Sequence, residues 1–292
     1  MTPGRPRLLI VGARGFLGSY VAALGQGRFE CVPAGRNSSG VRVDIVDADG
    51  ARRALEQTRP SVVVLTAALS DIDDCERRPV MARHTNVAGA GNIARACARV
   101  GARILFTSSG AVFDGEAPEY TEDSSPNPLS VYGKSKAEAE RIVAAECPGA
   151  VVVRLSLVLG AGLSPGTNSW LDKLRGKLAA GQPVTAPPDE YRNAIDVETA
   201  AQWILDLAAA PTARGIFHLG SADALSRFEI ARHLALAWGY PADLVTAANG
   251  AIPDRAPRGR CQMLRSARLA EFSSVPVPTC LQSLERCVHA VA

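Results

Sequence analysis

Short, largely apolar stretches recur along the first half of the chain, and between them apolar positions return every three or four residues. RLLIV (7–11), FECVPA (29–34), SVVVLTAA (61–68), ARILFTSS (102–109) and AVVVRLSLV (150–158) read as strands. The intervening segments predict helices over 16–26, about 49–58 (after a short run, VRVDI), about 86–100 and 130–146. Strands apolar on both faces, alternating with amphipathic helices, imply a parallel sheet covered on both sides. The expected fold class is α/β, a Rossmann-type doubly wound sheet. After about residue 160 the pattern loosens and proline and glycine become denser, as in GLSPGTNS and GQPVTAPPDE. Residues 1–160 are therefore expected to form mainly the doubly wound domain, and 161–292 mainly a smaller C-terminal region, part of which can return to the sheet.

Composition narrows the classes without choosing among them. A hydrophobic content of 47% in 292 residues suffices for a sizeable core. The net charge of +3 is spread along the chain, with no basic run interleaved with aromatics, so nucleic acid is not an expected partner. No apolar run approaches the length of a membrane span, and MTPGRPRLLIVGARG lacks the core of a secretory signal. Seven cysteines with no C-x-x-C pair suit free, mostly buried thiols in a reducing cytoplasm, and no metal centre is expected.

Gly12, Gly15 and Gly18 form G-x-x-G-x-x-G directly after RLLIV and at the opening of a helix. Glycine at such a turn lets the backbone approach a pyrophosphate, and the helix N-terminus attracts its charge. This predicts dinucleotide binding. An NAD site places an acid at the end of the second strand; here that strand runs FECVPAGRN and ends on Arg36. An arginine there suits a 2′-phosphate, with Arg14 of the glycine loop in support, so the expected cofactor is NADP(H), with NAD the alternative.

Only four of the 32 basic residues are lysine, and two of the four stand in SVYGKSKAEAER (130–141). Tyr132 and Lys136, four apart, share one face of a helix that Ser130 can cap. Gly133, costing about 1 kcal/mol relative to alanine inside a helix, hints at close approach of another backbone or a ligand. A nearby ammonium stabilises an ionised phenol, and lysine's flexible stem can reach ribose hydroxyls. Lys136 is thus expected to tune Tyr132 and hold the cofactor, while Lys134 is expected to be a solvated surface charge.

Y-x-x-x-K after a glycine-rich nucleotide fold resembles the extended branch of the short-chain dehydrogenase/reductase superfamily. AVFDG (111–115), Glu122, Pro128, VRLSLVLG (153–160), IFHLG (216–220) and RAPRGRCQML (255–264) further resemble dTDP-4-dehydrorhamnose reductases, which act on nucleotide-linked 4-keto sugars. The resemblance implies Ser109, in FTSSGAVFDG, as the third catalytic residue beside Tyr132 and Lys136. It implies cofactor contacts from Phe16 and Leu17 in the glycine loop, from Asp44 and Ile45, from Ala67 and Ala68 after the fourth strand, and from Asn86 in HTNVAG. Substrate contacts are implied for Ser70, for Gly110, for Arg192 in YRNAIDV, which would meet the diphosphate, and for Arg258, with Arg255 and Arg260 less strongly indicated.

Three positions depart from the reductase pattern. Gly110 replaces an Asp after the catalytic hydroxyl, which predicts extra room beside the sugar; Thr66-Ala67-Ala68 replaces Asn-Ala-Ala; and APPDEYRNAIDV looks more like epimerases and dehydratases. The expected activity is that of an NADPH-dependent reductase of a nucleotide-linked 4-keto-6-deoxysugar, cytoplasmic, with a homodimer as a candidate assembly. Alternatives are a sugar-nucleotide epimerase or dehydratase, a reductase of another natural-product ketone, and a non-catalytic NADP-binding regulatory subunit, as in the similar regulatory subunit of methionine adenosyltransferase.

Overall fold

In the first strand, β1 (Arg7–Val11), four consecutive side chains are fully buried, Leu8 through Val11, so both faces of the strand are covered. The computed structural model describes residues 4–38, 40–164, 166–250 and 252–289. β2 (Glu30–Gly35), β3 (Val41–Arg42), β4 (Val62–Leu65), β5 (Arg103–Ser109) and β6 (Val151–Leu155) join β1 in one parallel sheet. The strand Gly215–Leu219 completes it beside β6, and the order is Gly215–Leu219, β6, β5, β4, β1, β2, β3. The order reverses between β1 and β4, which opens a crevice at the C-terminal ends of the strands.

In chain order the helices among the described residues are α1 (Phe16–Gly25), α2 (Ala48–Thr58), α3 (Ile72–Arg77), α4 (Pro79–Arg83), α5 (Gly89–Val100), α6 (Val131–Glu146), α7 (Trp170–Ala179), α8 (Val197–Ala209), α9 (Arg227–Ala237) and α10 (Cys280–His289). α2, α5 and α6 cover one face of the sheet, burying Leu55, Ile93 and Val143. α1 and α8 cover the other, around Val21, Trp203 and Leu205. A third core, with Leu171, Leu174, Leu234 and Leu284, joins α7, α9 and α10 beyond the strand ends. After residue 160 the strand Gly215–Leu219 returns to the sheet and α8 packs on its face, while α7, α9 and α10 form the cap.

Two elements differ from the hydrophobic pattern. The helical path expected from 86 begins at Pro79, passes through a π-helical turn at His84–Ala88 and continues as α5. α3 is only six residues long, too short to show a period, and is set by the Asp71 side chain accepting from Asp74 N at 2.9 Å. The seven cysteines are free thiols. Among the described residues, no helix is long and apolar enough to cross a membrane, and no cluster of side chains is arranged to hold a metal ion.

Candidate active site

The glycine turn is built by collision avoidance. Gly12 has φ +101°, and an added Cβ would lie 2.6 Å from Thr66 Oγ1 and 2.7 Å from Ala67 N. At Gly18 the Cβ would lie 2.3 Å from Gly12 O, where α1 presses onto the turn. Thr66, which departs from the asparagine of related reductases, anchors this contact: its hydroxyl donates to Val11 O at 3.1 Å. Gly15 starts α1 without any side-chain cap, so the first helical N–H groups face the crevice with no protein partner supplied by a cap. Such a cradle fits a dinucleotide pyrophosphate. Phe16 and Leu17 pack partly into the core behind it.

Arg36 is exposed in the turn after β2. Arg14 reaches across from the glycine loop and donates to Asn37 O at 2.7 Å, bracing that turn. Asp44 accepts from Val46 N at 3.2 Å, Ile45 is buried against Gly89, and Ala67 donates to Val11 O at 3.0 Å, with Ala68 half-buried beside it. Asn86 is different. It lies inside the continuous helical path rather than at a helix start, and its amide is engaged by the protein. Oδ1 accepts from Leu69 N at 2.8 Å, and Nδ2 donates to Leu69 O at 3.1 Å and Ser135 Oγ at 3.0 Å. These bonds clamp the loop after β4 onto α6.

Ser109 ends β5, and its Oγ accepts from Ala111 N at 3.1 Å. Ser130 caps α6 by accepting from Gly133 N at 3.1 Å. A Cβ on Gly133 would lie 2.1 Å from Ala111 O, so the close approach that this glycine permits is that of the loop after β5. The docking brings Tyr132, on the first turn of α6, beside the Ser109 side chain at the cavity wall. Burial pushes the Tyr132 phenol up to about 12; the Ser109 hydroxyl opposes this and the Cys75 thiol adds to it. Lys136 lies one turn further on, 2% exposed, with Nζ 4.3 Å from the centre of the Phe106 ring. Burial lowers its ammonium to about 8, with Glu140 and Cys75 opposing.

Ser109, Gly110, Tyr132, Ser70, Arg192 and Arg258 line one cavity of about 570 Å³ between the strand ends and the cap. Three of these residues have protein partners of their own there. Arg192 is 7% exposed, and its donors go to backbone: Nη1 to Tyr191 O (2.7 Å) and Arg260 O (3.1 Å), Nη2 to Gly259 O (3.0 Å). Burial lowers it to about 10, Glu190 opposing. Arg258 forms a fork on Asp73 of α3, at 3.0 and 2.9 Å, and also donates to Ala256 O. Both arginines tie cavity walls together through these bonds. At Gly110 an added Cβ would rest in ordinary contact with the buried Leu264 side chain, 3.4 Å away, so Leu264 of the C-terminal segment borders the cavity wall at this point.

The cavity also contains residues that spacing did not single out: Trp170, Lys173 and Lys177 on one face of α7, and Arg227 at the start of α9. The capping box Ser226–Glu229 marks where α9 begins, but only packing turns Arg227 toward the strand ends.

Residues 6–292 match the family model described as the RmlD substrate binding domain. The dTDP-4-dehydrorhamnose reductase of Mycobacterium tuberculosis is 32% identical over 281 residues, covering 93% of this chain and 88% of the relative. Methionine adenosyltransferase 2 subunit beta of Xenopus tropicalis is 31% identical over 249 residues, 82% of this chain and 74% of the relative. Among solved structures, the Bacillus anthracis dTDP-4-dehydrorhamnose reductase in complex with NADP superposes with a TM-score of 0.87 over 98% of this chain and 99% of that one; at 22% identity the likeness is one of fold.

Proposed function

The chain belongs to the RmlD substrate binding domain family, within the extended short-chain dehydrogenase/reductases, and on that premise we propose that it is an NADPH-dependent reductase of a nucleotide-linked 4-keto-6-deoxysugar. The observation that carries this reading is the juxtaposition of Ser109 and Tyr132 at the wall of a cavity bounded by the strand ends and the cap, with Lys136 buried one turn further along the same helix. The cradle of Gly12, Gly15 and Gly18 holds the dinucleotide's pyrophosphate, and Arg36 its 2′-phosphate. When bound, the reduced nicotinamide supplies the hydride for the keto carbon. Tyr132, protonated throughout the neutral range because burial raises it to about 12, delivers its hydroxyl proton to the carbonyl oxygen. Ser109 donates a hydrogen bond to that oxygen, and Gly133 keeps the two hydroxyls in register by docking α6 onto Ala111.

A second reading has a specific observation behind it: similarity to a subunit named as part of methionine adenosyltransferase extends over 82% of the chain. On that reading the site binds dinucleotide without turning it over. One experiment separates the two. NADPH consumption is followed against a panel of dTDP-, GDP- and UDP-linked 4-keto sugars, with Tyr132→Phe alongside. Turnover that falls on the order of 100-fold in Tyr132→Phe, with NADPH affinity nearly intact, supports the reductase. NADPH binding with no turnover of any sugar supports the regulatory subunit.

A further inference from the structure

The cavity walls carry six cationic side chains, Lys173, Lys177, Arg192, Arg227, Arg255 and Arg258, against three carboxylates, Asp71, Asp73 and Glu190. Most of these groups are already engaged. Arg258 is held by Asp73, Arg255 is forked onto Glu190, and Arg192 is bound to backbone carbonyls. Asp71 caps α3. Two cations are left over. The side chains of Arg227 and Lys177 make no hydrogen bond or ion pair with any described residue. Beside them, the Lys173 ammonium donates to the neutral Asn168 amide at 2.5 Å.

Arg227 is nonetheless held in place. Its guanidinium lies 4.4 Å from the centre of the Trp170 ring. Such stacking uses the flat face of the guanidinium and leaves the N–H groups at its edge free. Burial draws Arg227 down to about 9, with Arg192 adding to this and Glu190 opposing, so it stays charged at neutral pH. Its backbone is fixed as well: the Arg227 amide donates to Glu190 O at 2.9 Å and that of Phe228 to Pro187 O at 3.1 Å. The partner ring is equally built in. Ser169 caps α7 by accepting from Asp172 N at 3.0 Å and ties the helix to Gly160 O at 2.7 Å. Trp170, Lys173 and Lys177 then follow at i, i+3 and i+7, one face of α7.

The lysine count points the same way. The chain has four lysines among 32 basic residues, and two of them stand on this one face of α7. A compact ammonium on a flexible stem can follow an anion into the cavity, whereas the fork of arginine demands a fixed geometry.

We propose that Arg227, braced on Trp170, and Lys177, with Lys173 beside it, form the diphosphate-binding end of the substrate cavity, and that Arg192, Arg255 and Arg258 build its walls. The inference rests on the nucleotide-sugar reading above and assigns its anionic group to α7 and α9.

The test needs no turnover. The protein is first saturated with NADPH, so that the dinucleotide site cannot take the probe, and dTDP, UDP and GDP are titrated by calorimetry. The unaltered protein is expected to bind at least one of them. Arg227→Gln and Lys177→Gln are each expected to weaken that binding by tenfold or more, as for a lost charge-assisted contact. Arg227→Lys is expected to recover part of the loss, and NADPH affinity to stay within twofold in all three. If the unaltered protein binds no nucleoside diphosphate, the nucleotide-sugar reading itself fails. If it binds one and both glutamine variants bind it equally well with NADPH affinity kept, that reading stands and the assignment to Arg227 and Lys177 is overturned. Loss of NADPH affinity in Arg227→Gln would mark damage to the fold, and Lys177→Gln, at an exposed position of α7, then decides alone.

Discussion

Lys136 holds an ammonium in a place where burial lowers it to about 8, packed over the Phe106 ring and opposed by Glu140. Tyr132 stays protonated to about 12. If the charged lysine supports catalysis, the rate must fall as pH rises through about 8, well before the phenol titrates, because the ammonium is the group that loses its proton first. The pH profile of kcat/KM at saturating NADPH checks this, and a profile flat to pH 10 would remove Lys136 from the catalytic set. Glu140→Gln takes away the influence that raises the lysine, so the fall should move to lower pH. Arg36, exposed on a turn that Arg14 braces, is expected to favour NADPH over NADH by about 1.5–3 kcal/mol. Arg36→Asp should shrink or reverse the preference in calorimetry; equal affinities in the unaltered protein count against the arginine. Both residues stood out in the sequence by type and position. That the lysine is itself drawn down by burial depends on packing that no spacing rule supplies.

At the scale of elements, the docking of α6 onto the loop after β5 decides whether Ser109 and Tyr132 meet. Gly133 makes the contact possible, since a Cβ there would lie 2.1 Å from Ala111 O and 2.9 Å from Pro128 Cβ. Backbone cannot yield as a flexible side chain can, so Gly133→Ala should destabilise the protein by about 1–3 kcal/mol and reduce turnover by more than its loss of folded protein explains. Urea unfolding paired with single-turnover rates separates the two effects; a variant with unchanged stability and rate would show that the helix has room to shift. Asn86 acts on the same helix from the other side, through Leu69 and Ser135. Its place in a π-helical turn was not legible in HTNVAG, because the apolar period there is that of an ordinary helix.

Across the whole molecule, the cavity is closed by contacts between segments far apart in the chain. Arg258 in the C-terminal segment forks onto Asp73 of α3, and Ala256 N donates to the same carboxylate at 2.8 Å. Burial pushes Asp73 up, but Arg258 and Ala256 overcome this and hold it below its usual value. A double-mutant cycle of Asp73→Asn and Arg258→Gln should show a coupling of about 0.5–3 kcal/mol in unfolding free energy, and each single variant should raise the KM for substrate more than it lowers kcat. Additive effects would mean that the wall closes without this pair.

The chain alone determined what repeats or is local: continuous apolar strands that demand a two-sided parallel sheet, a glycine turn whose spacing suits a pyrophosphate, the cap at Ser130 and the Tyr132–Lys136 face. Each follows from backbone sterics or a period of a few residues. Tertiary structure decided which charged groups are left to meet a ligand. Arg192, Arg255 and Arg258 read as anion contacts in one dimension, yet carbonyls and carboxylates from distant segments take up their donors. Gly110 read as space, and which side chain borders that space, Leu264, came only from packing. Arg227 read as one arginine among many, yet packing on Trp170 leaves its N–H edge in the cavity without an acid partner. Whether a buried cation is free depends on which acceptors folding brings within about 3 Å of it, and that is a property of the packed molecule, since these partners lie tens to hundreds of residues away along the chain.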